Sequence, residues 1–258
     1  MKNSEDFAGW MERMEMAQEL IYEAWDAPDT ETRVRLAKRA LKIYPDCADA
    51  YVILATSEAR NLEEKIEMFK KGVKAGRRSI ERMYDFDSLV GGFWGVLETR
   101  PFMRALKGLG ICFWEKGDTA AAAEIFWEML RLNPSDNQGV RCLLVVCLHL
   151  LERDEELEEL FKRYPDDITP DLLYGKALWA FKRWGDSQES RKALRKALKY
   201  NPHVPPYLTG EKRIPRTVPD KVVVGGEDEA ADVAHLQKGI WKKTKGAIKW
   251  LKEICDTR

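Results

Sequence analysis

The sequence predicts an all-α solenoid of about five to six antiparallel helix pairs, wound into a right-handed superhelix. Apolar residues recur at helical spacing along most of its 258 residues, and four similar segments each place a proline directly after such a stretch. Three of these prolines, Pro134, Pro165 and Pro202, are separated by 31 and 37 residues. Because proline cannot continue a helix, it marks the end of a pair. A period near 34 residues with paired helices is the tetratricopeptide pattern.

Residues 103–136 are the clearest copy of this repeat. Gly110 and Ala122 are small enough to let the two helices approach each other, and Phe126 is expected to fill the space between repeats. Asp118 lies ahead of an alanine run of high helix propensity, where it is a candidate N-cap for the second helix. This copy therefore sets the register in which the rest of the chain is interpreted.

The pattern continues in weaker form along the chain and predicts one domain over residues 1–258. Its predicted parts are N-terminal repeats at 10–76, a connector at 77–101, central repeats at 102–202, a loop at 203–226 and a C-terminal capping helix pair at 227–255. The last pair lacks a closing proline, as expected at the end of a stack.

The connector contains an unusual stretch, GGFWGVLETRP, at residues 91–101. The preceding SIERMYDF predicts a short extra helix, and the glycines predict a bend that leads into the next helix. We expect Phe93 and Trp94 to pack this bend onto the core, with Pro101 in the first turn of the helix that follows. An alternative interpretation gives the stretch a function, as the border of a pocket at the mouth of a groove. The residues of that mouth are Trp94, Glu98 and Arg100.

In a stack of helix pairs, the first helix of each pair lines a concave surface. The repeat register places several basic and aromatic residues in this groove, namely Arg104, Lys107, Trp114, Arg141, Trp179, Lys182 and Arg183. Such side chains suit an acidic or aromatic-containing peptide or protein segment, through charge-assisted hydrogen bonds and apolar anchors. The predicted function is a non-enzymatic protein-interaction scaffold. The alternative of equal weight is a solenoid whose charges are merely exposed and whose tryptophans are half-buried.

No motif for catalysis, metal binding or cofactor binding is present. The chain lacks the signatures of serine hydrolases, phosphate-binding loops and zinc proteases. Zinc needs four convergent ligands, and Cys142 and Cys147, five residues apart, lie on different faces of a helix. We therefore predict no catalytic residue, no metal and no cofactor. A small-ligand or enzymatic site at the 92–104 mouth is the alternative from another class.

The charge is balanced overall but unevenly distributed. The 43 basic and 43 acidic side chains give a net charge of zero, so no nucleic-acid partner is expected. Residues 1–32 hold nine acidic and two basic side chains, whereas residues 176–221 hold twelve basic and four acidic ones. The opposite charge of these two regions is compatible with head-to-tail self-association. Nucleic-acid binding through the basic 176–221 region is kept as an alternative function.

The cysteine pattern and the hydropathy favour the cytoplasm. The five cysteines form no C-x-x-C pair and lie mostly among apolar residues, which predicts free thiols in a reducing compartment. The first residues turn acidic without an apolar leader, and no apolar run approaches the roughly 18 residues that a bilayer span needs. No stable membrane insertion is predicted. The C-terminal segment is basic and amphipathic. Its sequence favours two short helices that close the stack, and the alternative is a helix that lies on a membrane surface.

The chain resembles the suppressor of tumorigenicity 7 family, in particular its bacterial and archaeal relatives. The resemblance rests on GFWGVLETRPFMRALKGLG, LRLNPSDNQGVRCLL, KRYPDDI and ALKYNPHVPPYL, followed by GEDEAADVAHLQKGIWKKTKGAIKWL. It covers about residues 10–255 and is strongest over 92–250. It implies a tetratricopeptide-like helical array with a scaffolding or regulatory role and no enzymatic activity to carry over. Gly92 stands where bacterial relatives are expected to have a polar residue, often histidine, which weakens a metal or acid–base role for the stretch.

Overall fold

The computed structural model describes residues 4–215 and 223–256. For residues 4–6 it describes the backbone only. Within these ranges the chain forms thirteen α-helices and no strand, which confirms the predicted all-α repeat class. The chain divides into two compact units, Met1–Val140 and Arg141–Arg258. The expectation of a single continuous solenoid domain stays a prediction.

Unit 1 consists of three helix pairs. Their bounds are α1 Ser4–Asp26, α2 Thr30–Ile43, α3 Ala48–Ser57, α4 Leu62–Met83, α5 Arg100–Glu115 and α6 Thr119–Leu132. Each helix packs against the next one in the chain, and α3 also packs against α5. The first helices of the second and third pairs are therefore neighbours, as in a tetratricopeptide stack.

The second helix of each pair in unit 1 begins at a side-chain cap. Asp29 accepts a hydrogen bond from the backbone N–H of Thr32 at 2.7 Å, and Asn61 accepts one from Glu64 at 2.9 Å. The predicted cap at Asp118 is confirmed, since its carboxylate accepts from the N–H of Ala121 at 3.1 Å. These contacts satisfy backbone donors that a helix start leaves open.

Glycine allows the closest helix contacts in unit 1. A Cβ atom at Gly76 would lie 2.9 Å from the Cα of Phe102, which brings α4 and α5 into backbone contact. A Cβ atom at Gly110 would lie 2.6 Å from the ring of Phe126, which is fully buried. The close approach of α5 and α6 predicted at Gly110 is therefore confirmed.

The connector differs in part from its prediction. The expected extra helix at SIERMYDF is wrong, because α4 continues without a break to Met83. Three short 3₁₀ turns follow before α5. Phe93 is fully buried, and its ring centroid lies 4.9 Å from that of Phe86 and 6.0 Å from that of Phe102. The expected packing of Phe93 is thus confirmed, and so is Pro101 in the first turn of α5.

Unit 2 contains seven helices within its described residues. Their bounds are α7 Arg141–Leu150, α8 Asp154–Arg163, α9 Pro170–Trp184, α10 Gln188–Tyr200, α11 Val204–Thr209, α12 Glu227–Lys243 and α13 Ala247–Asp256. Helix α11 corrects the prediction of a loop over residues 203–226. Pro205 and Pro206 occupy its first turn, where proline's fixed φ suits a helix, and Gly210 ends it with a φ of 88°.

Helix α12 packs against both α7 and α9, which also pack against each other. Gln237 on α12 donates to the carbonyl oxygen of Asp171 at 2.7 Å, and the Trp241 ring lies 6.4 Å from the Tyr174 ring. Trp241 and Tyr174 are both fully buried. Because α7 and α9 are the first helices of successive pairs, α12 occupies the groove that they form in unit 2.

Candidate functional site

An open groove lies between α3 and α5 in unit 1 and has a volume of about 520 Å³. We call it the α3–α5 groove. It is lined by Val52, Thr56, Lys65, Phe69, Trp94, Arg104, Lys107, Gly108, Ile111, Asn137 and Gln138. Two of the seven predicted groove residues, Arg104 and Lys107, and one predicted mouth residue, Trp94, are thus brought together here.

The sequence of α5 explains the shape of this groove. Residues 104, 107, 108 and 111 follow helical spacing and lie on one face. Gly108 is required at its position because a Cβ atom there would overlap the ring of Phe69. The Phe69 side chain can therefore lie against α5, where it gives the groove an apolar base together with Ile111.

Arg104 neutralises a buried carboxylate. Its Nε and Nη2 atoms donate to the two carboxylate oxygens of Asp49 at 2.7 and 2.6 Å, and Asp49 is fully buried. The guanidinium group also lies 5.1 Å from the centre of the Trp25 ring. Its first role is therefore to hold α3 and α5 together.

The remaining polar groups of the groove are partly engaged. Lys107 donates from Nζ to the carbonyl oxygen of Gln138 at 2.8 Å, and Lys65 lies 3.5 Å from a carboxylate oxygen of Glu115. The Gln138 amide donates to the carbonyl oxygen of Met103 at 3.4 Å. Its Oε1 atom is buried and has no partner among the described residues. A buried acceptor of this kind is costly unless water or a ligand donates to it.

The three predicted mouth residues do not share one cavity, and Arg100 lines neither of the two cavities that Trp94 and Glu98 border. Arg100 covers the Trp94 ring at 5.3 Å and donates to the Trp94 carbonyl oxygen at 3.0 Å. Trp94 borders the α3–α5 groove, whereas Glu98 borders a second cavity and accepts a hydrogen bond from the Tyr84 hydroxyl at 3.4 Å. Trp114, also predicted for the groove, is half-buried near the end of α5 and outside the set that lines it.

The predicted residues of unit 2 are engaged in internal contacts. Arg141 pairs with Asp167 at 2.5 Å. Trp179 is buried beside Phe161 and Trp184. Lys182 lies 3.5 Å from Asp154, and Arg183 lies 3.3 Å from Glu158 and covers the Trp179 and Trp184 rings. These four residues therefore already have partners within unit 2.

The contact between α9 and α12 includes a carboxyl group with an unusual affinity for protons. Burial raises the pKa of Asp171 to about 7, and the negative charges of Glu229 and Asp232 on α12 add to this effect. A hydrogen bond with Cys142 opposes it. The folded state therefore holds this proton at pH values where the unfolded chain has lost it.

We expect Asp171→Asn to stabilise the protein at pH 8 by about 4 kcal/mol and to have little effect at pH 4. Because the folded pKa is raised, the stability contributed by the protonated group is present below pH 4 and is lost as the pH rises to 7. Asparagine removes that loss. Chemical denaturation at both pH values measures the difference, with the exposed Asp166→Asn as the control. An equal effect of Asp171→Asn at both pH values would contradict this assignment.

The described residues give little basis for nucleophilic or metal chemistry. Burial raises the pKa of Cys47 and Cys147 to about 12 and that of Cys112 to about 11, so these thiols stay protonated near neutral pH. Burial lowers the pKa of His149 to about 4, and its Nε2 lies 3.0 Å from the Gly175 carbonyl oxygen, which fixes it as a neutral donor. Over residues 4–215 and 223–256, no cluster of three or more metal-ligating side chains was found.

Comparison with known proteins places the chain in a family. The family model described as ST7 protein matches residues 7–89 and 181–257. The chain belongs to the ST7 family. A tetratricopeptide-repeat model matches residues 95–137, which contain α5 and α6, and this confirms the repeat predicted there. None of the helices in the described part of the chain is long and apolar enough to cross a membrane.

Several animal proteins of the ST7 family align with most of this chain. It is 24% identical to "Suppressor of tumorigenicity 7 protein-like" of Gallus gallus over 250 residues and of Homo sapiens over 253 residues, covering 89% and 90% of this chain. It is also 24% identical to "Protein ST7 homolog" of Drosophila melanogaster over 259 residues. The chain spans less than half the length of these relatives, 45%, 44% and 47% respectively. None of these descriptions names an enzymatic activity. Tetratricopeptide repeats indicate a protein-interaction scaffold.

The structure adds groove residues that the sequence interpretation left out. Val52 and Thr56 on α3, and Lys65 and Phe69 on α4, were not predicted. A signal for the first two exists in the sequence. When residues 48–76 are aligned with 103–136 on their core positions, Val52 and Thr56 match Lys107 and Ile111.

Proposed function

We propose that this chain is a scaffold that holds a segment of a partner protein in the α3–α5 groove. One observation carries the proposal: the groove is lined at the same repeat positions by two successive first helices. Val52 and Thr56 on α3 correspond to Lys107 and Ile111 on α5. A surface built from equivalent positions of neighbouring repeats is the usual ligand surface of a helical-repeat protein.

The chemistry of the groove favours a segment with an apolar anchor and nearby acceptors. Ile111 and Trp94 offer apolar area, and the buried Phe69 ring forms the base of the groove. Lys65 and Lys107 supply positive charge along the same groove, which suits a carboxylate or a backbone carbonyl of the ligand. The ion pair between Arg104 and Asp49 holds α5 against α3 and so fixes the two helices that line the groove. An acidic peptide with an aromatic or aliphatic anchor therefore fits best.

We expect Lys107→Glu and Ile111→Asp each to remove the partner that the wild-type protein retains in its host. The measurement is quantitative mass spectrometry of proteins that co-purify with the tagged chain after light crosslinking. Lys71→Glu is the matched control, because Lys71 is exposed on α4 outside the groove. Helical circular dichroism must be unchanged in all three variants. If the groove variants and the control retain the same proteins in the same amounts, the groove is not the binding site.

A further inference from the structure

Unit 1 contains a second cavity, of about 420 Å³, which the repeat pattern did not predict. It is bounded by α1, the first residues of α3, the C-terminal half of α4 and the start of α5. We call it the N-terminal cavity. Its volume is within the usual range for a binding site. Arg104, held by Asp49, lines both this cavity and the α3–α5 groove, but the other lining residues differ.

Large apolar side chains line the N-terminal cavity without being buried by it. Phe7, Met11, Met14 and Tyr22 follow helical spacing along one face of α1. Phe7 is 46% exposed and Tyr22 is 56% exposed, and Leu97 on the opposite side is 65% exposed. Exposed apolar side chains around one cavity give a ligand apolar surface to bury.

Methionine side chains give the cavity an adaptable surface. Met11 and Met14 come from α1 and Met83 from the end of α4. The unbranched, polarizable thioether can repack around different partner side chains, as on surfaces that bind amphipathic helices. Trp10 and Ile21 are buried on the adjoining face of α1, and Met11, Met14 and Met83 pack partly against the same core. Their remaining exposed surface is what the cavity offers to a partner.

The rim of the N-terminal cavity has an excess of negative charge. Helix α1 contains seven acidic side chains and one arginine. Glu15 lines the cavity and is exposed, with no ion pair to any described residue, and Glu98 lines it from the 3₁₀ turn that precedes α5. The other charges there are already paired, since Asp46 binds Arg78 and Arg104 binds Asp49. The complement to this rim is a cationic ligand.

We propose that the N-terminal cavity docks an amphipathic helix of a partner protein, with apolar side chains in the cavity and lysine or arginine side chains at Glu15 and Glu98. The apolar lining supplies affinity and the acidic rim supplies orientation and association rate. This surface is opposite in charge to the α3–α5 groove, which favours an acidic segment. The scaffold therefore has two docking sites of different chemistry, and either can exist without the other.

A synthetic helix tests the proposal directly. The probe is a fluorescein-labelled peptide of leucine and lysine, patterned to give one apolar and one basic helical face. Its binding is followed by fluorescence anisotropy at low and high salt. We expect Glu15→Lys combined with Glu98→Lys to weaken binding by about tenfold and to reduce its salt dependence. The control is Glu12→Lys combined with Glu23→Lys, because both residues are exposed on α1 outside the cavity lining, and we expect it to change binding by less than about twofold.

A second readout locates the peptide. In protein labelled with ¹³C at the methionine methyl groups, we expect the signals of Met11, Met14 and Met83 to shift on binding, assigned by single Met→Leu variants. A leucine–glutamate peptide of the same pattern, and a leucine–lysine peptide scrambled to lose its apolar face, are expected not to bind. Variants of the α3–α5 groove, such as Lys107→Glu, are expected to leave binding of the peptide unchanged. This result separates the test of the N-terminal cavity from the test of the proposed function.

Four results would overturn the proposal. The first is equal loss of binding in the cavity and control charge variants, which would show only attraction of a cation to an acidic surface. The second is absence of binding by the patterned peptide at low salt. The third is a dimer, detected by sedimentation, that dissociates in the Glu15→Lys, Glu98→Lys variant, since a second copy would then be the occupant. The fourth is equal binding of a single-chain fatty acid that displaces the peptide, since the cavity would then be a lipid site.

Discussion

Replacement of Arg104 by methionine is expected to lower the free energy of unfolding by about 3–5 kcal/mol. The change leaves the Asp49 carboxylate fully buried without the two hydrogen bonds and the positive charge that it now has. A buried charge without a partner is among the most destabilising changes in a protein interior. Urea denaturation at neutral pH measures the loss.

Two variants serve as controls for the Arg104 prediction. Arg60→Met breaks an exposed pair with Glu64 and is expected to cost less than about 1 kcal/mol. Asp49→Leu combined with Arg104→Met removes both charges, and we expect it to recover most of the stability lost in the single variant. If Arg104→Met is no more destabilising than Arg60→Met, the pair does not hold α3 to α5 as described.

The Arg104 pair also decides how the groove can be tested. Glutamate at position 104 would place a second carboxylate against the buried Asp49. Loss of a partner in such a variant would report loss of structure as readily as loss of binding. Lys107 and Ile111 are better reporters, because each lines the groove from a half-buried position without holding a buried charge.

Replacement of Phe93 by alanine is expected to lower the free energy of unfolding by about 3–5 kcal/mol. Its ring is fully buried and packs against Phe86 and Phe102, so its removal leaves a cavity beneath the connector. The measurement is again chemical denaturation. Leu97→Ala in the same connector is the control and is expected to change stability by less than about 0.5 kcal/mol, because Leu97 is 65% exposed. Equal effects of the two substitutions would contradict a core role for Phe93.

The repeat register explains how much of the groove could be predicted. The spacing of core residues in 103–136 placed Arg104 and Lys107 on one face of α5, and the structure has them there. When the same register is applied to residues 48–76, Asp49 is the residue equivalent to Arg104. These two side chains form the buried pair. One repeat alone could not show that Arg104 on α5 forms an ion pair with Asp49, the residue at the equivalent position of the neighbouring helix α3.

Features that depend on tertiary contacts were harder to predict. The prolines of NPHVPPY end one helix and also begin α11, and the sequence around them was interpreted only as a loop. Helix α12 was predicted from its composition, but its position against α7 and α9 depends on where the preceding segment leads the chain. The apolar face of α1 is visible in the spacing of Phe7, Met11, Met14 and Tyr22. The helices around this face decide that it lines a cavity while Met11 and Met14 also pack partly against the core.

The central claim is that the α3–α5 groove holds a segment of a partner protein, and site-specific photo-crosslinking tests it most directly. The photoreactive residue p-benzoylphenylalanine would replace Ile111 in the groove and, separately, Lys71 on the exposed face of α4. Irradiation in the host is followed by mass spectrometry of the adducts. We predict one dominant protein adduct from position 111 and none of that protein from position 71. Adducts of the same proteins in equal yield from both positions, or no adduct from position 111, would contradict the account.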